Sequence, residues 1–162
     1  MIDKVRLLQE LRERVERDLE DLIRRQRDIQ RGATHEESRA EHAKDTRATE
    51  QSYLARGLAQ RVEQQREVAA LLATLDATAC KANGAISLGH VVVGRDGEDD
   101  AIQRWWLIPG AGGMTFSLGE HTIRTLTPAS PLGRALIGLR IGDEAAYATP
   151  RGERSLAILE IH

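Results

Sequence analysis

Apolar residues in the first part of the chain recur at helical spacing. Over residues 3–31 they stand mostly three or four positions apart, with Gln26 as an interruption, at Val5, Leu8, Leu11, Val15, Leu19, Leu22 and Ile29. This spacing places them along one side of an α-helix. Gly32 follows, and a glycine just past a helix often ends it. The pattern therefore predicts an amphipathic helix that ends before Gly32.

Residues 46–75 repeat the pattern and predict a second helix, with Tyr53 and Leu54 packed in its apolar seam. Two stripes of similar length with a short polar stretch between them favour an antiparallel hairpin, about 44 Å long at 1.5 Å per residue. Gly57 should weaken the second helix by about 1 kcal/mol relative to alanine. Because each helix has one apolar side, dimerisation between chains stays an alternative, although we expect a monomer.

The hydrophobic period changes after residues 76–84, which are expected to form a linker. Strand-forming runs separated by turn residues follow, and Gly94–Gly97 is the first expected turn. Ser130 before Pro131 is typical of a helix N-cap followed by proline at the first helical position, and Gly138 closes this short helix. The pattern predicts an α+β fold whose second domain has an antiparallel sheet and one short helix. The expected strands lie near residues 86–93, 103–108, 114–118, 123–126, 144–148 and 155–161.

Composition divides the chain at the same place. Residues 1–80 hold 31 charged residues, against 17 in residues 81–162, and 12 of the 14 glycines and all four prolines lie in the second half. Helix is therefore favoured in the first half and turns in the second. We predict two domains, a helical hairpin over 1–78 with its tip at 32–46, and a compact domain over 84–162.

Charge and cysteine usage narrow the classes of function. A formal net charge of −2 gives no overall basic field that would hold nucleic acid by itself. No apolar run is long enough to cross a membrane, and the charged N-terminus is unlike a secretory signal. The single cysteine, Cys80, has no internal disulfide partner, which favours a reducing, cytoplasmic location.

Residues 127–161 resemble the C-terminal domain of the GreA/GreB transcript cleavage factors. The matching elements, in order, are Ser130-Pro131, residues 135–138, Gly142-Asp143-Glu144, Thr149-Pro150 with Gly152, and a final strand. The resemblance implies an N-terminal coiled-coil hairpin and an FKBP-like C-terminal domain. It also implies bacterial RNA polymerase as the partner, indirect contact with nascent RNA, and the family's association with DNA. In that family the globular domain grips the rim of the secondary channel and the hairpin tip reaches the active centre.

The expected tip is rich in carboxylates. Glu36, Glu37, Glu41 and Asp45 lie within residues 32–46, and carboxylate oxygens suit Mg²⁺. The resemblance implies that these four acids are the candidate catalytic residues, with Glu36 and Glu37 helping to hold a second Mg²⁺ for two-metal hydrolysis of backtracked RNA. That Mg²⁺ belongs to the polymerase, so no cofactor of the chain's own is expected.

The tip departs from the family's cleavage motif, Gly-Asp-x-x-Glu-Asn. Laid on this sequence from Gly32, the motif puts Ala33 at the aspartate, Glu36 at the glutamate and Glu37 at the asparagine. Three functions stay open: stimulation of transcript cleavage, modulation or inhibition of the polymerase without cleavage as in some Gre-like and DksA-like proteins, and a coiled-coil interaction module with another partner. A solvated tip without chemistry is the plainer alternative.

Three further features bear on binding or packing. The resemblance implies that Ser130, Pro131 and Leu132 contact the polymerase, although a helix cap alone also explains them, and Ala129 stands where the family often has an acid or asparagine. His35-Glu36 does not continue to a metal-binding HExxH motif, because Arg39 replaces the second histidine. Trp105 and Trp106 should point to opposite faces of a strand, one of them into the core.

Overall fold

The computed structural model describes residues 2–37, 46–79 and 84–162. Two long helices are followed by a mixed sheet and a short helix, as an α+β fold requires. The elements are α1 (Lys4–Glu37), α2 (Thr46–Thr74), β1 (Val91–Asp96), β2 (Ile102–Leu107), β3 (Thr115–Leu118), β4 (His121–Leu126), α3 (Pro131–Leu136), β5 (Glu144–Thr149) and β6 (Gly152–Ile161).

Helix α1 begins at a side-chain cap and continues further than its sequence predicts. The Asp3 carboxylate accepts a hydrogen bond of 3.0 Å from the Arg6 backbone N–H, which satisfies one of the free donors of the first turn. The helix then passes through Gly32 and reaches Glu37, so the predicted end before Gly32 is wrong. A helical glycine costs only about 1 kcal/mol relative to alanine, and the good helix formers Gln30, Arg31 and Ala33 around it outweigh that cost.

Helices α1 and α2 run antiparallel, as predicted. The Gln65 side-chain amide in α2 donates to the Val15 carbonyl in α1 over 3.4 Å, and both Val15 and Val62 are buried. Further along, residues 25–29 of α1 line a groove together with residues 53–61 of α2. Residue numbers therefore rise along one helix where they fall along the other, which is the antiparallel arrangement.

Three apolar side chains of these helices do not lie where they were expected. Tyr53 and Leu54 are 66% and 65% exposed, so their predicted place in the seam is wrong, and Val5 of the expected α1 stripe is 59% exposed. The more buried residues of α2 form a series in which the spacing alternates between three and four positions. Leu54 lies one position away from a member of this series. The buried and half-buried members of the series are Ala55, Leu58, Val62, Gln65, Ala69 and Leu72.

The sheet has six strands in the order β3-β4-β2-β1-β6-β5. Every neighbouring pair is antiparallel except β2 and β4, which are parallel over three residues. The predicted antiparallel sheet is confirmed, and this pair is the one exception among the described strands. The chain reverses direction between β2 and β3, and again between β3 and β4. Strand β4 therefore runs in the same direction as β2, and β3 lies at the edge of the sheet.

Strand β1 lies further along the chain than the predicted range of 86–93. It begins at Val91 and continues to Asp96, so the expected turn at Gly94–Gly97 is wrong, and the reversal into β2 lies at Gly97–Asp100. Gly94 is needed for packing: a Cβ there would stand 2.6 Å from the Leu156 side chain on β6. The pairing of β1 with β6 also shifts register between Val93 and Gly94, which is a β-bulge.

The main core lies between the sheet and α3, and the two tryptophans take different places in the sheet. Trp106 is fully buried and meets Phe116 edge-to-face with ring centroids 6.5 Å apart. Trp105 is half-buried and packs against the core cluster, so the prediction that one tryptophan is buried is confirmed. The cluster comprises Ile86, Val92, Leu107, Leu126, Leu132, Leu136, Ala145, Leu156, Ile158 and Ile161.

Two compact units make up the chain. One is Arg12–Ala70, and the other joins the chain up to Leu11 with Leu71–His162. The beginning of α1 and the end of α2 thus belong to the same unit as the sheet. The buried residues in these two segments include Leu7, Leu8, Leu11 and Leu72. The predicted domain limits of 1–78 and 84–162 stay a prediction. Among the described residues, no helix is long and apolar enough to cross a membrane.

Candidate functional site

The predicted acidic tip lies partly within helix α1. Ala33, Glu36 and Glu37 belong to the last turns of this helix. Glu41 and Asp45 lie outside the described residues. Within the described part of the chain, no group of three or more acidic, histidine or cysteine side chains could hold a metal ion. The roles assigned to the four acids, and Glu36 and Glu37 as metal ligands, stay predictions.

The predicted cap of α3 is present in detail. The Ser130 hydroxyl accepts a hydrogen bond of 3.0 Å from the Gly133 N–H and donates one of 2.8 Å to the Thr127 carbonyl. Pro131 occupies the start of the helix, where its missing N–H has no cost. The Arg134 guanidinium donates to the Ala129 carbonyl. The Ser130 backbone N–H also donates to the Thr127 carbonyl. Four hydrogen bonds within a single turn therefore hold this loop.

The three residues of the predicted polymerase contact have different exposures. Pro131 is exposed and Ser130 half-buried, whereas Leu132 is 5% exposed within the core. Leu132 thus packs beneath the loop that the other two residues form. The sequence pattern did not single out Gly133, where a Cβ would collide with the Thr127 carbonyl oxygen. A glycine inside a predicted helix was the available signal.

An aliphatic surface near the end of α3 was also missed at the level of sequence. Backbone bonds of Ile86 with Gly138 and Leu139, both 2.8 Å, and of Gly142 with Ile158, 2.9 Å, join the segments that carry it. We call it the aliphatic surface. Exposed apolar side chains mark an interaction site where they form a contiguous patch. The name covers four side chains that are 36–47% exposed, Leu88, Ile137, Ile141 and Leu159. Three of them lie between strands, where burial gives no reason for apolar residues, and this was the available signal.

The loop, the cap and the final strands all lie within one recognised domain. Residues 81–162 match the family model described as "Transcription elongation factor, GreA/GreB, C-term". The chain belongs to the GreA/GreB family.

Individual relatives agree with this membership. The chain is 35% identical over 101 residues to the transcription elongation factor GreA of Ruegeria pomeroyi, which covers 62% of this chain and 60% of that protein. It is 43% identical over 37 residues to the transcription inhibitor protein Gfh1 of Thermus thermophilus, 23% of this chain and 24% of that one. The chain thus spans less than two thirds of the length of these curated relatives. The crystal structure of Thermus thermophilus Gfh1 aligns with 21% identity and a TM-score of 0.38, covering 93% of this chain and 94% of that one.

A buried ion pair braces the sheet of this GreA/GreB family member. The Asp96 carboxylate, 0% exposed, accepts hydrogen bonds from the Arg154 guanidinium at 2.8 Å, the Gln103 amide at 2.8 Å and the Glu98 backbone N–H at 3.0 Å. The Glu98 N–H, with help from Arg154 and Gln103, holds the pKa of Asp96 below its usual value although burial opposes this. In return, Asp96 raises the pKa of Arg154. All these partners belong to the sheet and its first turn, so the pair supports the fold and is not a catalytic acid.

Proposed function

We propose that this protein binds bacterial RNA polymerase and regulates transcription elongation. The observation that carries the proposal is the match of residues 81–162 to the GreA/GreB C-terminal domain. The antiparallel pair α1 and α2 supports it, because the end of α1 and the segment between the two helices together contain the four candidate acids. A factor of this kind acts in the cytoplasm.

Docking on the polymerase is assigned to the globular domain. The exposed Pro131 and the half-buried Ser130 form a loop held rigid by the α3 cap, and such rigidity lowers the entropic cost of binding. Two residues of the aliphatic surface, Ile137 and Ile141, follow directly after α3 in the chain. Apolar side chains at the centre of an interface contribute much of its binding energy. We therefore assign the polymerase contact to the loop and the aliphatic surface together.

The long helices supply reach. Helix α1 has 34 residues, which corresponds to about 51 Å at 1.5 Å per residue. In our proposal the two helices enter the secondary channel as a coiled coil and bring Glu36, Glu37, Glu41 and Asp45 towards the catalytic Mg²⁺ of the polymerase. Carboxylates there would share that ion and contact the nascent RNA only through the active centre.

A second candidate function is modulation or inhibition without transcript cleavage. Two observations favour it: Ala33 replaces the aspartate of the family's cleavage motif, and part of the chain is 43% identical to a protein named as a transcription inhibitor. A carboxylate lost from a two-metal site removes a ligand or water-positioning group. The acids that are present would still occupy the channel and compete for the ion.

The binding proposal is tested with purified core polymerase and the full-length chain. We expect a saturable complex at low salt, measured by fluorescence anisotropy of the labelled factor. The double substitution Ile137→Ser with Ile141→Ser should weaken it at least tenfold, because exposed apolar anchors are removed. Val5→Ser, at an aliphatic residue elsewhere that is even more exposed, is the control. Absence of any complex with the wild-type chain contradicts the proposal and leaves an interaction module for another partner.

A further inference from the structure

The helix pair leaves a groove open between α1 and α2. The groove has a volume of about 570 Å³ and takes its lining from both helices. Gly57 lies in it, and a methyl group added there would meet nothing within 4 Å, so the groove reaches the backbone of α2. Its described apolar side chains are Ile29, Tyr53, Leu54 and Leu58.

Along this stretch the two helices do not bury their own apolar side chains. Val15 and Val62, just outside it, are buried, whereas no residue of 16–31 or of 52–61 is. The apolar lining of the groove is half-buried or exposed. Because packing against other elements supplies most of the stability of helices in proteins, a further surface that covers this stretch would stabilise the pair.

Charged side chains line the same groove. Arg25 and Asp28 of α1 are three positions apart, a spacing that a helix places on one side, and both are exposed. Neither forms an ion pair with any residue that the structure describes, so both are available to charges of another molecule. On α2, Tyr53 and Arg61 line the groove about two helical turns apart, with Gly57 midway between them.

This arrangement is self-complementary about a two-fold axis. In a symmetric dimer a surface meets itself, so each contact between two different residues is made twice. An axis that crosses the groove between Arg25 and Asp28 on α1, and at Gly57 on α2, sets each helix antiparallel to the same helix of the second copy. Arg25 of each copy then lies opposite Asp28 of the other. Arg61 of each copy likewise lies opposite the Tyr53 ring of the other, a pairing that the ring's negative face favours.

We propose that this groove is the surface through which two copies of the protein associate. Each copy keeps its own pair of helices, and the two pairs stack as a four-helix bundle. The missing side chain of Gly57 lets the two α2 backbones approach each other at the axis. Because the groove carries charges of both signs, it suits a second copy better than a uniformly acidic or basic partner. The interface is small, and small interfaces are typical of weak, reversible association.

A regulatory consequence follows, and it rests on the proposed function. Two stacked helix pairs are thicker than one, so a channel that admits a single pair excludes the dimer. The dimer is then a form of the protein that does not act on the polymerase, and its fraction rises with concentration. Dimerisation itself needs no polymerase and can be measured without it.

Sedimentation velocity of the full-length protein alone, at low salt, tests the proposal. We expect the mean mass to rise from that of one chain towards that of two between about 1 and 100 μM. Leu54→Glu should raise the Kd of the dimer about tenfold or more, because it brings a carboxylate into the apolar part of the interface. Leu71→Glu, the same change at an exposed leucine of α2 outside the groove, is the matched control and should associate like the wild type.

The two-fold arrangement makes a sharper prediction for Arg25 and Asp28. Arg25→Glu brings four carboxylates together at the axis, and Asp28→Arg brings four guanidiniums together. Each variant alone should therefore associate about tenfold more weakly than the wild type at low salt. An equimolar mixture of the two variants should recover the affinity of the wild type, because the heterodimer sets the two carboxylates of one chain against the two guanidiniums of the other.

Several results would overturn the proposal. They are a single-chain mass of the wild type up to about 100 μM, equal effects of Leu54→Glu and Leu71→Glu, and a mixture of the charge variants that associates no better than either alone. A wild type that stays monomeric, with Leu54→Glu defective in polymerase binding, would assign the groove to the polymerase instead. Far-ultraviolet circular dichroism confirms that all variants keep their helices. Because these measurements contain no polymerase, their failure leaves the proposed function standing.

Discussion

At the scale of single residues, Asp96 is the polar side chain whose replacement should lower the free energy of unfolding most. Asp96→Asn puts an NH₂ donor against the donating amide of Gln103, and Gln103 cannot turn round because its oxygen accepts from Trp105. Arg154 also loses its buried counter-charge. We expect a loss of about 2–3 kcal/mol in the free energy of unfolding at pH 7, measured by urea denaturation. Asp100→Asn, exposed in the same turn, should change it by less than about 0.5 kcal/mol.

The stability difference between the wild type and Asp96→Asn should depend on pH. Because the folded state lowers the pKa of Asp96, the carboxylate stabilises the fold above its unfolded pKa of about 3.8, and this contribution is lost as the pH falls through the lower folded value. The difference in the free energy of unfolding should therefore be constant from pH 7 to pH 5 and narrow below pH 4. A difference that stays the same down to pH 3 would show that the fold does not lower the pKa of Asp96.

Gly133 tests the packing of the loop before α3. In Gly133→Ala the new methyl group meets the Thr127 carbonyl oxygen and the Ser130 hydroxyl, both part of the α3 cap. We expect a loss of about 1–3 kcal/mol in the free energy of unfolding, as for other overpacked sites. Thermal unfolding followed by near-ultraviolet circular dichroism measures it. A variant as stable as the wild type would mean that the loop shifts freely, which would also undermine its rigidity as a contact surface.

At the scale of elements, two glycines should respond in opposite directions to alanine. Gly57 lies in α2 with nothing within 4 Å of the place that an added methyl group would take, so Gly57→Ala should stabilise the helix by about 0.5–1 kcal/mol. Gly138 has φ of +85° at the end of α3, and Gly138→Ala should destabilise by about 1 kcal/mol because an L side chain is strained there. Far-ultraviolet circular dichroism during heating follows both. Equal effects of the two substitutions would contradict these conformations.

Elements whose signal is local were predicted well, and those that depend on partners were not. The α3 cap follows from Ser130-Pro131 because its hydrogen bonds lie within four residues. The pattern could not reveal that Gly94 is needed beside Leu156, since that contact joins strands far apart in sequence. The parallel pairing of β2 and β4 depends on strand order, which alternation along a strand does not encode. Leu54 was misplaced because the partner helix selects which of two adjacent positions is buried.

At the scale of the whole molecule, the sequence predicted the capped loop before α3 but not its surroundings. Ser130 and Pro131 are recognisable by motif, whereas the segments that carry Leu88, Ile137, Ile141 and Leu159 are joined only by backbone bonds between distant parts of the chain. The parallel pairing of β2 and β4 stops after three residues, and no motif marks that point. The acidic segment was found from composition alone, because carboxylates carry their chemistry in any conformation. Its function in turn depends on what the remainder of the molecule binds.

In the function that we propose, the identity of residue 33 decides whether the protein supports transcript cleavage. In the family's cleavage motif an aspartate stands three residues before the glutamate, and in this sequence those positions are 33 and 36, both within α1. Alanine at 33 leaves the motif with one carboxylate fewer, and our proposal assigns that carboxylate to the second Mg²⁺. We expect the wild-type protein to leave the RNA of a backtracked elongation complex intact, while Ala33→Asp shortens it, with the products separated on a denaturing gel. Ala33→Asn, of the same size but uncharged, is the control and should remain inactive because it adds no anionic ligand. Cleavage by the wild type at a rate equal to Ala33→Asp would instead mean that the other acids, Glu36 foremost, are sufficient.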